Sequence, residues 1–285
     1  MKTLTKRVIP GKKSDIYVLY YLTDWHVGAK AFDEKQFRAD VAEIAANPLA
    51  LWIGGGDFID AVCRAGDKRY DEETIAPWLH GKKDVMAVER DYALELSKPI
   101  MDKCVALVKG NHEKAAEVYY DRDIYWDFVC RAADAARVEP GELALGYQGF
   151  VRLIFERHRH RDAIDIYCHH GYGGGRLPGG DALALGRVLG DYECSLALMG
   201  HRHTFHTLEK EVVSVDRRGN VRQQTRRAAF VGSYLAAYIQ PSTDSKPVDT
   251  YAEAIGLPPK RTGTTRILIQ PEDHKMAILS GDALL

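Results

Sequence analysis

Several features that would announce a special environment are missing from this chain. No apolar run approaches the roughly 20 residues needed to span a bilayer, which excludes a helical membrane protein. The five cysteines, Cys63, Cys104, Cys130, Cys168 and Cys194, are odd in number and lack the paired spacing of a thiolate metal cluster. Cys104, Cys168 and Cys194 begin, end or directly precede apolar runs, where a free thiol behaves as a small hydrophobe. That usage fits a reduced, cytoplasmic protein without structural disulfides. Charge of one sign is missing too: the formal net charge is −1, so no global field draws the protein to nucleic acid or to an anionic membrane. Residues 1–13 are basic but have no apolar core of the kind a signal peptide carries. Repeats, low-complexity tracts and a convincing linker are also absent. The 285 residues therefore read as one domain (1–285), with 1–15 a polar leader and 232–285 a C-terminal extension ending in a hairpin.

What is present is an alternation of short apolar runs and helical patterns, the mark of an α/β protein. Residues 16–23, 50–53, 104–108, 163–167 and 196–199 read as strands. Residues 33–46 carry apolar positions at helical spacing behind an Asp33 cap, with Pro48 just past the end. Residues 84–103 read as a long helix that Pro99 kinks or shortens, and 124–137 as another that packs through Trp126, Phe128 and Val129. Residues 61–83 are polar and irregular, anchored by Trp78. Strands at 143–156 and 163–167 flank a charged turn, Arg157 to Arg161. A short helix is expected at 181–189. Hairpins are expected at 208–231, turning at Arg217-Arg218-Gly219-Asn220, and at 265–279. Two glycine-bearing stretches exclude nucleotide fingerprints. Pro10-Gly11-Lys12-Lys13-Ser14 lacks the upstream glycine and the preceding strand of a phosphate loop, and Gly171 to Gly180 has Arg176 where a third glycine belongs.

Five of the apolar runs end in glycine-rich loops, and those loops carry Asp24, His26, Asp57, Asn111, His112, His170, His201 and His203. Ligands collect at the carboxyl ends of strands in α/β sheets, so these loops are placed to converge. All eight side chains offer oxygen or imidazole nitrogen, a donor set that suits borderline divalent metals such as Mn, Fe, Zn or Ni rather than a structural zinc cluster. Two such ions, two aspartates and a bridging hydroxide sum to about +1, a charge that attracts a phosphate and an arrangement that generates its own nucleophile.

The motifs Asp24-x-His26, Gly56-Asp57-x-x-Asp60, Gly110-Asn111-His112-Glu113, His170-Gly171 and Gly200-His201-x-His203 resemble the ordered signature of the calcineurin-like metallophosphoesterases over residues 16–206. The resemblance implies a four-layer α/β/β/α sandwich with two mixed β-sheets and a two-metal centre at loops following the strands. It implies that Asp24, His26 and His203 hold one ion, that Asn111, His170 and His201 hold the other, and that Asp57 bridges them. His112 is then the catalytic residue that contacts the phosphate or protonates the leaving oxygen, and Asp60 supports His112 or a ligand. His170 is preferred to its neighbour His169 because the family ligand immediately precedes the glycine. Mn is the favoured metal, with Fe, Zn or Ni as alternatives.

The expected activity is hydrolysis of a phosphoester by a hydroxide activated between two metals, with a phosphodiester or nucleic acid favoured as substrate. A phosphomonoesterase is the alternative, and a non-enzymatic scaffold on the same fold is the remote one. Tyr172, Arg176 and Arg202 flank ligand motifs and are candidates for substrate contacts. Arg217, Arg218, Arg222, Arg226 and Arg227 make the 208–231 hairpin a candidate polynucleotide surface, against the plainer reading of a solvated edge. His158, His160 and His206 are expected to be solvated or supporting, and the Arg157 to Arg161 turn to be a solvated charge run. The stretch 232–259, with Tyr251-Ala252-Glu253 and Pro258-Pro259, resembles phage-type members of the family.

Overall fold

The computed structural model describes residues 1–62, 74–174, 177–216, 218–238, 256 and 258–280. In chain order the elements are β1 (Lys2–Val8), β2 (Tyr17–Leu22), α1 (Glu34–Ala46), β3 (Ala50–Gly54), α2 (Val85–Ser97), β4 (Cys104–Val108), α3 (Asn111–Tyr120) and α4 (Ile124–Ala136). They continue with α5 (Pro140–Leu143), β5 (Ala144–Gly146), β6 (Gln148–Arg157), β7 (His160–His169), α6 (Pro178–Asp191), β8 (Leu196–Met199), β9 (Phe205–Val215), β10 (Val221–Val231), β11 (Thr265–Gln270) and β12 (Lys275–Ser280).

The strands form two six-stranded mixed sheets, in the orders β1-β6-β7-β8-β10-β9 and β12-β11-β2-β3-β4-β5. In the second sheet, β2, β3, β4 and β5 are parallel. All six residues of β2 are buried, as a strand covered on both faces requires. Its alternation assigns the layers. Tyr17, Leu19 and Tyr21 join Val151, Leu153, Phe155, Ile166, Leu196 and Val231 in the core between the sheets. Val18, Tyr20 and Leu22 face the other way, into a cluster with Phe37 and Val41 of α1, Met86 and Ala93 of α2, and Phe128 and Val129 of α4. On the far face of the first sheet, Tyr167, Ala197, Met199 and Phe230 pack on Ala184, Leu185, Val188 and Leu189 of α6. The result is four layers, helix, sheet, sheet, helix, as the resemblance implies.

Capping follows the sequence signals. Asp33 accepts from the Gln36 amide, and Lys103 closes the other end of α1 by donating to the carbonyls of Ile44, Ala45 and Asn47.

Some expectations are corrected. The polar leader is in part a strand: β1 pairs in parallel with β6 from Lys2 to Val8. An edge strand with one face in water reads as polar, and its partner lies nearly 150 residues on. The 84–103 helix is α through Ser97 and 3₁₀ from Lys98 to Lys103, because Pro99 cannot donate into an α-helical ladder. Trp78 is 38% exposed with its ring against Tyr92, while Ile75, Ala76 and Leu79 are the buried residues of this stretch. Trp126 is likewise on the outer face of α4. The Arg157 to Arg161 run does turn, at His158 and Arg159 between β6 and β7, but Arg157 is ion-paired with Glu272 rather than solvated. The final hairpin forms and is built into the second sheet through antiparallel pairing of β11 with β2. Cys104, Cys130, Cys168 and Cys194 are free thiols; Cys63, Arg176, Arg217 and Tyr251-Ala252-Glu253 lie outside the described residues. No helix among the described residues is long and apolar enough to cross a membrane.

Candidate metal centre

The carboxyl ends of β2, β3, β4, β7 and β8 open onto one place. Their loops are sewn together by backbone bonds: the Asp24 amide donates to the Gly56 carbonyl at 2.9 Å, and that of His26 to the Asp57 carbonyl at 3.0 Å. Asp24, His26, Asp57, His201 and His203 all have φ between 51° and 67°. Left-handed backbone at five non-glycine residues around one point is stored strain of the kind that gathers at functional sites. The space is equally tight. A Cβ on Gly56, itself at φ 92°, would lie 2.6 Å from the Gly110 nitrogen, and one on Gly110 would lie 2.1 Å from Asp57 Oδ1. Only glycine lets these loops meet.

Three groups of donor atoms result, the atoms of each within 4.8 Å of one another. They are Asp24, His26 and His203; Asp57, His170 and His201; and His26, Asp60 and His112. His203 Nε2 lies 3.0 Å from Asp24 Oδ1, and His170 Nε2 lies 3.2 Å from Asp57 Oδ2. Asn111 Oδ1 sits between His170 Nε2 at 3.0 Å and His201 Nδ1 at 2.8 Å. All seven residues expected to hold metal are therefore brought together, and Asp57 stands between the groups. The carboxylates are out of water: Asp24 is 0% exposed and Asp57 1%.

Whether these residues fit a pair of cations is tested by the tautomers. His170 Nδ1 is 2.8 Å from the Gly55 carbonyl, which can only accept. His26 Nδ1 is 3.1 Å from Asp60 Oδ1. Both rings then turn Nε2 inward, the arrangement that second-layer acceptors impose on metal-binding histidines. His26 Nε2 is buried and without a hydrogen-bond partner. It lies 4.0 Å from Asp24 Oδ1 and 3.9 Å from Asp57 Oδ2, too far for a hydrogen bond and within the span of two ligands on one ion. The donor set fits.

The electrostatics agree. Burial alone would raise the Asp24 carboxyl, but His203 and His170 overcome it and hold its pKa down at about 2. Asp57 is lowered well below the usual range against the same burial cost, by His170 and His112. Conversely, His170 is raised to about 10: burial opposes its charge, and Asp57 and Asp24 win. Two buried carboxylates demand positive charge, and without a cation the imidazole has to supply it.

The motif spacing predicts Asn111 and His112 on a loop. They are instead the first turn of α3, with Gly110 as N-cap. A helix's first turn offers amides with no partner inside the helix, and here the His112 amide donates to Asp57 Oδ1 at 2.8 Å. His112 Nδ1 is 2.5 Å from the Asp60 carbonyl, and its ring meets the edge of His26 at 4.5 Å between centroids. Asp60 thus touches both His26 and His112.

Glu113 is the residue whose role the motif reading missed. Fully buried, it accepts from the amides of Asp57 (2.9 Å), Phe58 (2.7 Å) and Gly110 (2.8 Å), tying the β3 and β4 loops together. Burial, then the Asp57 charge, lifts its carboxyl to about 7. Its one sequence signal is the capping-box position three residues after Gly110.

His169 faces elsewhere than its neighbour: its Nδ1 accepts from the Gly171 amide at 2.6 Å and its ring contacts Tyr167 and Tyr172. Of the residues expected near substrate, Tyr172 is exposed. Arg202 has its charge engaged by Asp181 at 2.7 Å and the Tyr172 carbonyl at 3.2 Å. The hairpin arginines Arg222, Arg226 and Arg227 pair with Asp216, Glu193 and Glu209, so they do not form a bare basic strip.

No family model and no curated protein matches the sequence. Solved structures do. A protein from Streptococcus pneumoniae described as a predicted phosphoesterase is 11% identical, with a TM-score of 0.31 over 94% of this chain and 99% of that one. Vps29 of Chaetomium thermophilum is 10% identical, with a TM-score of 0.36 over 92% of this chain and 93% of that one. A metallophosphoesterase from Sphaerobacter thermophilus is 11% identical, with a TM-score of 0.37 over 92% and 87%. The chain resembles the calcineurin-like metallophosphoesterases. That likeness is carried by the layer order and the five motifs, because structural similarity this low assigns no residue. Among the described residues, the grouped donor atoms at the ends of the strands are carboxylate oxygens and imidazole nitrogens.

Proposed function

We propose that the protein hydrolyses phosphoesters with two divalent metal ions, Mn being favoured over Fe, Zn or Ni, and that phosphodiesters are its preferred substrates. The observation that carries the reading is the buried, unpartnered Nε2 of His26 facing Asp24 and Asp57, with the donor group of Asp57, His170 and His201 beside it. Asp24, His26 and His203 would hold one ion, and Asn111, His170 and His201 the other, with Asp57 common to both. Ions bound there would polarise the phosphoryl oxygens and supply an activated water.

The chain's own contribution is orientation and one proton. The His112 amide and Glu113 fix the Asp57 carboxylate and its backbone. The Asp60 carbonyl can only accept, so His112 Nδ1 carries a proton toward it, and the proton available to a leaving oxygen is the one on Nε2. Asp60 orients His26 in the same way through its carboxylate.

The test is a metal-reconstituted panel with a phosphodiester reporter, a phosphomonoester reporter, and single- and double-stranded DNA. Metal-dependent diester hydrolysis is expected. Turnover of the monoester alone overturns the diester preference. A chain that neither retains metal nor hydrolyses any of them is a scaffold.

A further inference from the structure

Beside His203 the surface opens into a recess of about 350 Å³, lined by Leu177, Asp181, Phe205, His206, Pro258–Pro259, Lys260 and Arg261. His203 forms part of its wall and connects it to the donor cluster, its Nε2 lying 3.0 Å from Asp24 Oδ1. The volume is that of a small-molecule site. The wall contributed by residues 258–264 comes from the far end of the sequence and is pinned on either side of Arg261. Lys260 Nζ donates to the Arg202 carbonyl at 2.5 Å, Thr262 Oγ1 to Asp33 at 2.6 Å, and Thr264 Oγ1 to the Tyr21 carbonyl at 2.8 Å. Arg261 itself is exposed and lies over the Phe205 ring, 4.2 Å from its centroid. Phe205 in turn is pressed against Gly232, where a Cβ would meet its ring at 2.2 Å.

Two cations therefore line the recess. The one carboxylate there, Asp181, is already paired with Arg202, and among the described residues neither Lys260 nor Arg261 has a carboxylate partner. We propose that this recess binds the nucleoside of a nucleotide ester whose phosphate sits at the metal cluster. The inference rests on the phosphoesterase reading and names the substrate class. A guanidinium already laid flat on an aromatic ring presents its outer face to a planar base, and stacking of this kind is indifferent to base identity. The proline pair and Leu177 complete an apolar flank, and Lys260 adds charge for the phosphate side. A holder fixed in advance by its neighbours loses little entropy when it binds.

The experiment has two arms. In calorimetric titrations of the metal-loaded chain, thymidine 5′-monophosphate is expected to bind at least ~10-fold tighter than inorganic phosphate, and Arg261→Ala to reduce that ratio by ~10-fold. In kinetics, the kcat/KM ratio of thymidine 5′-(4-nitrophenyl) phosphate over methyl 4-nitrophenyl phosphate is expected to fall by a similar ~10-fold in Arg261→Ala. Arg261→Lys keeps the charge and loses the plane, so it should fall with alanine; a wild-type ratio in the lysine variant overturns the stacking. Ratios unmoved by Arg261→Ala overturn the subsite and leave the hydrolase reading standing. If neither ester is cleaved while the nucleotide affinity still depends on Arg261, the hydrolase reading fails and the subsite stands.

Discussion

Strand β7 has histidines at both ends, and the two ends behave differently. At its carboxyl end, His170 meets Asp57, Asn111 and the neighbouring His201 ring within one buried cluster. At its amino end, His160 lies 6.0 Å from the His274 ring, His274 pairs with Asp162 at 3.0 Å, and Glu272 takes Arg157. Each end also has a buried imidazole nitrogen without a hydrogen bond, on His26 and on His160. Yet among the described residues a group of three donor atoms forms only at the carboxyl end. An unpartnered nitrogen alone is therefore weak evidence for a metal. What distinguishes the site is that carboxylates surround the nitrogen at distances too long for hydrogen bonds, on backbone held in a left-handed conformation.

The largest effect that should separate the two ends is that of Asp57→Asn. It alters the carboxylate that faces both His26 and His170, and we expect metal content and phosphoester hydrolysis to fall together, the latter by ~10³-fold or more. Elemental analysis of the purified variant beside its kinetics checks this. His112→Ala should retain metal while turnover falls by ~10²–10⁴-fold, the range for losing a general acid; loss of metal instead would reassign His112 as a ligand.

Glu113→Ala touches no donor atom but leaves three buried amides unpaired. Stability should drop by about 3 kcal/mol in denaturant unfolding, and metal affinity by ~10–100-fold, as for other supporting residues. Smallest is His274→Ala at the opposite end. Metal content and turnover should match the unaltered chain, with a stability change within about 1 kcal/mol, since the His274 side chain is 67% exposed. A loss of metal there would erase the distinction between the ends.

Much of this was legible in the linear chain for a local reason. Whether a short run is a strand, and whether a glycine, carboxylate or imidazole follows it, depends on neighbouring residues alone, so Asp24, His26, Asp57, Asn111, His170, His201 and His203 could be singled out by position. Capping was legible on the same grounds, as Asp33 shows. Residues whose meaning depends on distant partners were not. Lys2–Val8 reads as polar until β6 is beside it. Arg202 looks available for substrate until Asp181 takes its charge. Lys260 and Arg261 follow two prolines in an undistinguished stretch, and only pairing of β11 with β2 returns that segment to the site.

By itself, then, the sequence determined the chemistry on offer: oxygen and imidazole donors at the ends of apolar runs, in the order of a metallophosphoesterase signature. The tertiary structure alone decided the rest. It set His170 among the donor atoms of Asp57 and His201, with its Nδ1 against the Gly55 carbonyl, and turned His169 to the Gly171 amide. It placed Asn111 and His112 on the first turn of α3, so that an amide reaches Asp57. And it made Glu113 the clamp between two loops, since the adjacent amides of Asp57 and Phe58 and that of Gly110, more than fifty residues on, converge on one carboxylate only once β3 and β4 lie side by side.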